Sequence, residues 1–134
     1  MPAPANSPFS YAVLRVVPRV ERGERFNAGV ALFCRQRDFL GVKVGLDERR
    51  LAALAPGTPA DEVRAHLDAL VRVAAGSPDG GAIAELPPSE RFGWLVAPSS
   101  TIIQPSEVHT GLSGNPEATL DGLFAELVEP LPAS

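Results

Sequence analysis

Hydrophobic positions recur every second residue in the first third of the chain and at helical spacing thereafter. Ser10 to Pro18 (SYAVLRVVP) is rich in aromatic and β-branched residues, the composition of a strand. Phe26 to Arg35 (FNAGVALFCR) predicts a second strand, with Phe26, Ala28, Val30, Leu32 and Cys34 falling on one face. Ala31 and Phe33 make its other face partly apolar too, which predicts a central place in a sheet. Phe39 to Val44 (FLGVKV) predicts a third strand, separated from the second only by Gln36, Arg37 and Asp38, as in a β-hairpin. The connection from Arg19 to Arg25 is longer, highly charged, and carries Gly23 near its tip. Three antiparallel strands in sequence make a meander.

From Asp47 onward the period changes. Asp47 predicts the N-cap of a short helix through Leu54, stopped by Pro56. Thr58 offers a capping hydroxyl to a longer helix, with Pro59 at its first position and Asp61 near its positive end. Val63, Leu67, Leu70, Val71 and Ala74 recur at helical spacing, and Gly76 is placed to end the helix. His66 lies beside that stripe and reads as a boundary or core histidine. Ser77 to Gly81 is a loop. Pro87 to Glu90 opens a brief helix carrying Arg91, Phe92 and Trp94. Thr101 to Gln104 predicts a fourth strand, bracketed by Pro98 and Pro105. Asn115 and Pro116 begin a last helix with Leu120, Leu123, Phe124, Leu127 and Val128 as its buried stripe. Strands first and helices later predict an α+β fold: an antiparallel three- to four-stranded sheet, its N-terminal part a meander, with helices packed on one face. The expected division is a flexible tail over residues 1–9, a single domain over 10–130 and a C-terminal tail over 131–134.

Composition agrees with one globular domain. The chain has 134 residues, 45% of them hydrophobic and 21% charged. No stretch approaches the roughly 20 apolar residues that cross a bilayer. The N-terminus lacks the basic and apolar regions of a secretory signal, so a cytoplasmic protein is expected. Cys34 is the only cysteine, which excludes an internal disulfide; within an apolar run it reads as a small buried hydrophobe. Charge is unevenly placed. Up to Arg50 there are nine Lys or Arg against five Asp or Glu, and from Leu51 onward three against eleven. The basic part could meet an anionic partner, but pairing with the acidic helices of the same chain is the favoured expectation.

The common catalytic signatures are missing. There is no Gly-rich phosphate loop, dinucleotide fingerprint, nucleophile elbow or His-rich metal pattern, so neither a cofactor nor a metal is implied. One stretch stands apart, Arg91 to Gly111 (RFGWLVAPSSTIIQPSEVHTG), which gathers the only Trp, one of two His and three consecutive hydroxyl residues. Ser99, Ser100 and Thr101 could donate to an anion, and His109 could titrate near neutral pH. An enzyme reading makes His109 a general base, with Arg91, Ser100 and Thr101 holding an anionic substrate. The alternative is structural: hydroxyls capping turns, Trp94 filling the core, His109 bonded to a backbone carbonyl. The second candidate is the basic loop, whose Arg19, Arg22 and Arg25 could clamp an anion although Glu21 and Glu24 offset them. Only Phe26 supplies an adjacent ring, so nucleic-acid binding is disfavoured. Arg22, Asn27, Arg91, Trp94, Ser100, Thr101, Gln104 and His109 are therefore the candidate ligand- or partner-binding positions, with His109 the only catalytic candidate.

Four motifs follow in order: Tyr11 to Glu24 (YAVLRVVPRVERGE), Phe26 to Val30 (FNAGV), Arg91 to Pro98 (RFGWLVAP) and Gln104 to Gly111 (QPSEVHTG). Together they resemble the bacterial family called domain of unknown function 3037, over about Ser10 to Val128. Members commonly carry arginine where this chain has Ser99, so the resemblance implies one cation fewer in the segment here. It supplies no catalytic residue. Because members tend to be encoded beside a HipA-like kinase-fold protein, it implies an accessory or regulatory role toward such a partner, in a toxin–antitoxin-like or peptide-modifying system. A non-catalytic accessory domain is the leading expectation, with the enzyme or anion-binding reading as the alternative.

Overall fold

The computed structural model describes residues 6–130. Five antiparallel strands form one sheet: β1 (Ser7–Val16), β2 (Phe26–Cys34), β3 (Phe39–Val44), β4 (Ile103–Pro105) and β5 (His109–Ser113). Four α-helices accompany them: α1 (Glu48–Leu54), α2 (Ala60–Ala75), α3 (Pro88–Leu95) and α4 (Pro116–Leu127). The protein is thus α+β. The first three strands form the expected meander, and the sheet order is β3-β2-β1-β4, with β5 also paired to β1. β1 and β2 are therefore both interior, and both bury residues on either face.

Several starts and caps follow from local chemistry. The Asp47 carboxylate accepts hydrogen bonds from the backbone N–H groups of Arg49 and Arg50, at 3.0 and 3.2 Å, and so caps α1. Gly76 adopts φ +68° at the C-cap of α2, where a residue without Cβ fits without strain. Asn115 accepts from the Ala118 N–H and caps α4. Thr58 does not cap α2. That helix begins at Ala60 behind Pro59, which has no side-chain oxygen, while the Thr58 N–H closes a turn to the Ala55 carbonyl.

Two expectations about layering are corrected. The expected tail over residues 1–9 gives way at Ser7, where β1 begins; Ser7 and Phe9 are buried. The rest of that segment, residues 1–5, and the tail over 131–134 lie outside the described residues. More consequentially, the helices do not share one face. Leu14, Val16, Ala31 and Val42 pack with α1, α2 and α3, whereas Phe9, Val30, Leu32 and Cys34 pack with Leu120, Phe124 and Val128 of α4. Consecutive residues of β2 point to opposite sides of a strand, so α4 lies across the sheet from the other helices.

The five positions of β2 expected on one face are split for the same reason. Gly29 pairs with Leu14 and Asn27 with Arg15, so Ala28 is an extra residue, a β-bulge. The bulge reverses the alternation. Phe26 and Ala28 join the α2 side, and Val30, Leu32 and Cys34 join the α4 side. Glycine opens room beneath α4: a Cβ on Gly41 would come within 2.9 Å of Leu120, and one on Gly45 within 2.9 Å of Phe124.

β4 and β5 form, in effect, one broken strand along β1. Pro105 lies opposite Leu14 and His109 opposite Tyr11, so four steps on one side match three on the other. Ser106 sits at the break and mends it. Its N–H donates to the Val13 carbonyl, and its hydroxyl oxygen accepts the Val13 N–H at 2.8 Å. β4 starts two residues later than the expected strand, and β5 has no counterpart in the expected fold. Its sequence HTGLS carries almost no apolar alternation, and only Ser113 of its five residues is buried.

Candidate functional site

The segment Arg91–Gly111 contributes to both sides of the sheet, and its polar residues do not meet. Arg91, on α3, turns toward α2 and donates from Nη1 to the carbonyls of Ala74 at 2.9 Å and Val73 at 3.3 Å. It thereby supplies a partner to the Ala74 carbonyl at the end of that helix, while the Val73 carbonyl also accepts the Gly76 N–H. His109 lies on β5 on the α4 side, exposed, with its ring 5.2 Å from that of Tyr11. The arrangement that would pair His109 with Arg91 around one substrate is not formed. Thr101 donates its hydroxyl to the Ile103 carbonyl, and Gln104 donates to the Thr101 carbonyl, so both brace the turn into β4. Ser100 is exposed on that turn.

The remaining candidates are also distributed. Arg22 is exposed at the tip of the β1–β2 loop and ion-paired with Glu24. Phe26, the one ring beside those arginines, is buried, so the loop offers no stacking platform. Asn27, on β2, donates from Nδ2 to the Leu127 carbonyl at 2.9 Å and ties the sheet to the C-terminal end of α4. Among the ion pairs of the described residues, few join the basic first part to the acidic remainder. Lys43–Asp121, at 3.1 Å, joins them in the expected sense; the Arg64–Glu48 bridge, also 3.1 Å, runs the other way. The guanidinium of Arg64 is raised above its ordinary pKa, first by its hydrogen bond to Asp61 and then by the charge of Glu48.

What the segment does build is a groove. Trp94 does not fill the core: it is 46% exposed. It stands with His66 between two adjoining depressions of about 270 and 230 Å³. The first is floored by Leu14, Leu70 and Ile103 and rimmed by Ser99 and Thr101; the second runs along α2 toward Asp79 and Ile83. The geometry follows from the helices. α3 is too short to cover the apolar floor near β4, so its last turn leaves the indole over the gap. The first depression is mainly apolar, with one imidazole and two hydroxyls at its edge, and the second adds the charged side chains of Arg72 and Asp79. Among the described residues, no group of three or more His, Cys, Asp or Glu side chains could hold a metal ion.

Sequence reasoning missed His66 as a groove residue, although its place at the border of the α2 stripe was readable. It also passed over Arg15. That residue lies on β1, on the α4 side, between Asn27 of β2 and Gln104 of β4. Period-two spacing from Tyr11 and Val13 was the available signal; its neighbours depended on the register.

The molecule is thus an α+β domain with a central antiparallel sheet, helices on both faces and an apolar groove beside α3. Its sequence matches the family described as protein of unknown function (DUF3037) over residues 11–128, and the chain belongs to that family. No curated protein and no solved structure matches it. No described helix is long and apolar enough to cross a membrane.

Proposed function

We propose that this protein is a non-catalytic accessory domain that acts in the cytoplasm by binding a HipA-like kinase-fold protein through the groove around Trp94. The observation that carries the reading is the half-exposed indole at the centre of an apolar depression. Tryptophan is among the residues that dominate protein–protein binding energy when seated in a partner's pocket. The polar rim of His66, Ser99 and Thr101 would supply orientation rather than chemistry. Dispersal of the titratable candidates supports contact over catalysis: Arg91 serves α2 and His109 lies across the sheet. The identity of the partner rests on the family resemblance and its usual genetic neighbour.

Co-expression of the chain with the kinase-fold protein encoded beside it tests the proposal. The expected result is a stoichiometric complex that survives size-exclusion chromatography at micromolar concentration. Trp94→Ala should weaken it at least tenfold, as expected when a central aromatic contact is truncated. Absence of any complex at that concentration would overturn the reading, and an unchanged affinity for a folded Trp94→Ala variant would remove the groove from it.

A further inference from the structure

Across the sheet from the groove, we infer a binding site for an oxyanionic group, a carboxylate or a phosphate, centred on Arg15. The argument begins with register. Asn27, Arg15 and Gln104 lie side by side on three neighbouring strands, β2, β1 and β4. In-register neighbours on one sheet face stand with Cβ atoms roughly 5 Å apart, so the three side chains form a continuous polar row. Its side of the sheet is fixed twice over. Leu14 and Val16, which flank Arg15, pack on the α2 side, and the Asn27 side chain reaches Leu127 of α4. Arg15 therefore points to the α4 side, away from Trp94.

Arg15 is half-buried in an interior strand, yet its guanidinium makes no hydrogen bond, ion pair or ring contact among the described residues. A guanidinium presents five N–H donors in a planar fork that matches two oxygens of a carboxylate or phosphate. The flanking carboxamides extend that fork. Asn27 uses its amino group toward the Leu127 carbonyl and Gln104 uses its own toward the Thr101 carbonyl. Each NH2 has two hydrogens, so each retains one donor, and the internal bond fixes its orientation. An unpartnered guanidinium flanked in register by two carboxamides, each with one N–H to spare, is complementary to a single oxyanion.

The charge of the adjoining loop favours the same ligand. From Arg15 to Arg25 the chain carries four arginines against two glutamates, and one of those glutamates is already paired with Arg22. Two further unengaged donors share this side of the sheet. The Tyr11 hydroxyl and the His109 imidazole make ring contact with each other but no hydrogen bond. They stand four residues along β1 from Arg15, roughly 13 Å at strand rise. A ligand longer than its anionic group would run toward them.

The test is a titration of the 15N-labelled full chain, followed through the Arg15 Nε–H and the Asn27 and Gln104 amide side-chain resonances. Inorganic phosphate and acetate are the probes, with chloride at matched ionic strength as control. The expected result is saturable shifts at these three side chains with phosphate, acetate or both, and none with chloride. Saturation by phosphate alone assigns a phosphoryl ligand, and saturation by acetate assigns a carboxylate. Arg15→Lys keeps the charge and loses the fork, and should weaken binding about tenfold; Gln104→Ala should weaken it severalfold. Shifts that rise linearly and match chloride would overturn the site. So would saturable shifts of unchanged midpoint in a folded Arg15→Lys protein, because the anion would then be held elsewhere.

Discussion

The guanidinium of Arg91 on α3 donates to the Ala74 carbonyl at 2.9 Å, so a side chain from one helix closes the end of another. Gly76 makes the approach possible. A Cβ there would stand 2.8 Å from Arg91 Nη1, and the residue's φ of +68° already favours glycine. Replacing Arg91 with Met should cost about 1.5–3 kcal/mol, the range for a hydrogen bond from a charged group, because the Ala74 carbonyl loses its partner while that of Val73 keeps the Gly76 N–H. Gly76→Ala should cost about 1–2 kcal/mol from the left-handed backbone alone. The two losses should not add, because both act through the same contact. Urea unfolding of both single variants and the double variant measures this, and simple additivity would show that Arg91 and Gly76 act independently.

Trp94 predicts a different balance. A fully buried aromatic residue replaced by alanine loses about 3–5 kcal/mol. With 46% of its surface exposed, Trp94 should lose about half of that or less. Trp94→Ala should therefore fold and unfold cooperatively while its partner affinity falls. Its native tryptophan emission should also lie red of that of a buried indole, since this is the only Trp in the chain. Blue-shifted emission, or loss of folding in the variant, would mean that the indole is buried in solution and that the groove is closed.

Much of this architecture was legible because it is local. Asp47, Gly76 and Asn115 act on backbone groups within a few residues of themselves, so their caps could be read one position at a time. The limits of β3 follow from a short apolar run between turn residues. What escaped was set by pairing. The extra residue Ala28 in β2 depends on the register against β1, and it decides that Val30 and Leu32 face α4. β5 escaped because a five-residue strand with four exposed or half-exposed positions has no alternation to detect. The segment Arg91–Gly111 stood out by its unusual composition, and its polar residues were expected to meet at one place. A chain that crosses from α3 to the far strand edge within twenty residues necessarily displays them on both sides of the sheet. Asn27 and Gln104 could be singled out from sequence, but their adjacency to Arg15 on three neighbouring strands depends on that register.

Cys34 predicts an inert thiol. It is fully buried at the end of β2 and donates to the Pro8 carbonyl at 3.4 Å. Reaction with a disulfide reagent requires the thiolate to be exposed, so the native protein should remain unmodified on the minute timescale and react at once in denaturant. Because Pro8 belongs to the first turn of strand pairing with β5, slow native labelling would report opening of that edge rather than global unfolding. Labelling at the rate of a free thiol would contradict the burial of β1 against β2 at this end.

Ser106 offers the sharpest test of the sheet's outer edge. Its hydroxyl accepts the Val13 N–H at 2.8 Å and itself donates to the Glu107 carbonyl at 2.8 Å. The residue is 6% exposed, so water has little access to the N–H it serves. Ser106→Ala removes the acceptor and strands a buried donor in an interior strand, which should cost about 1–3 kcal/mol. The loss should be local as well as global. Hydrogen exchange at Val13 should accelerate beyond what the reduced stability accounts for, while Val30 on β2, held under α4, should change only with global stability. Ser106→Cys, with a weaker acceptor of similar shape, should fall between the two. Equal exchange at Val13 in all three proteins would mean that the break between β4 and β5 is mended by some other group, and that the hydroxyl is dispensable.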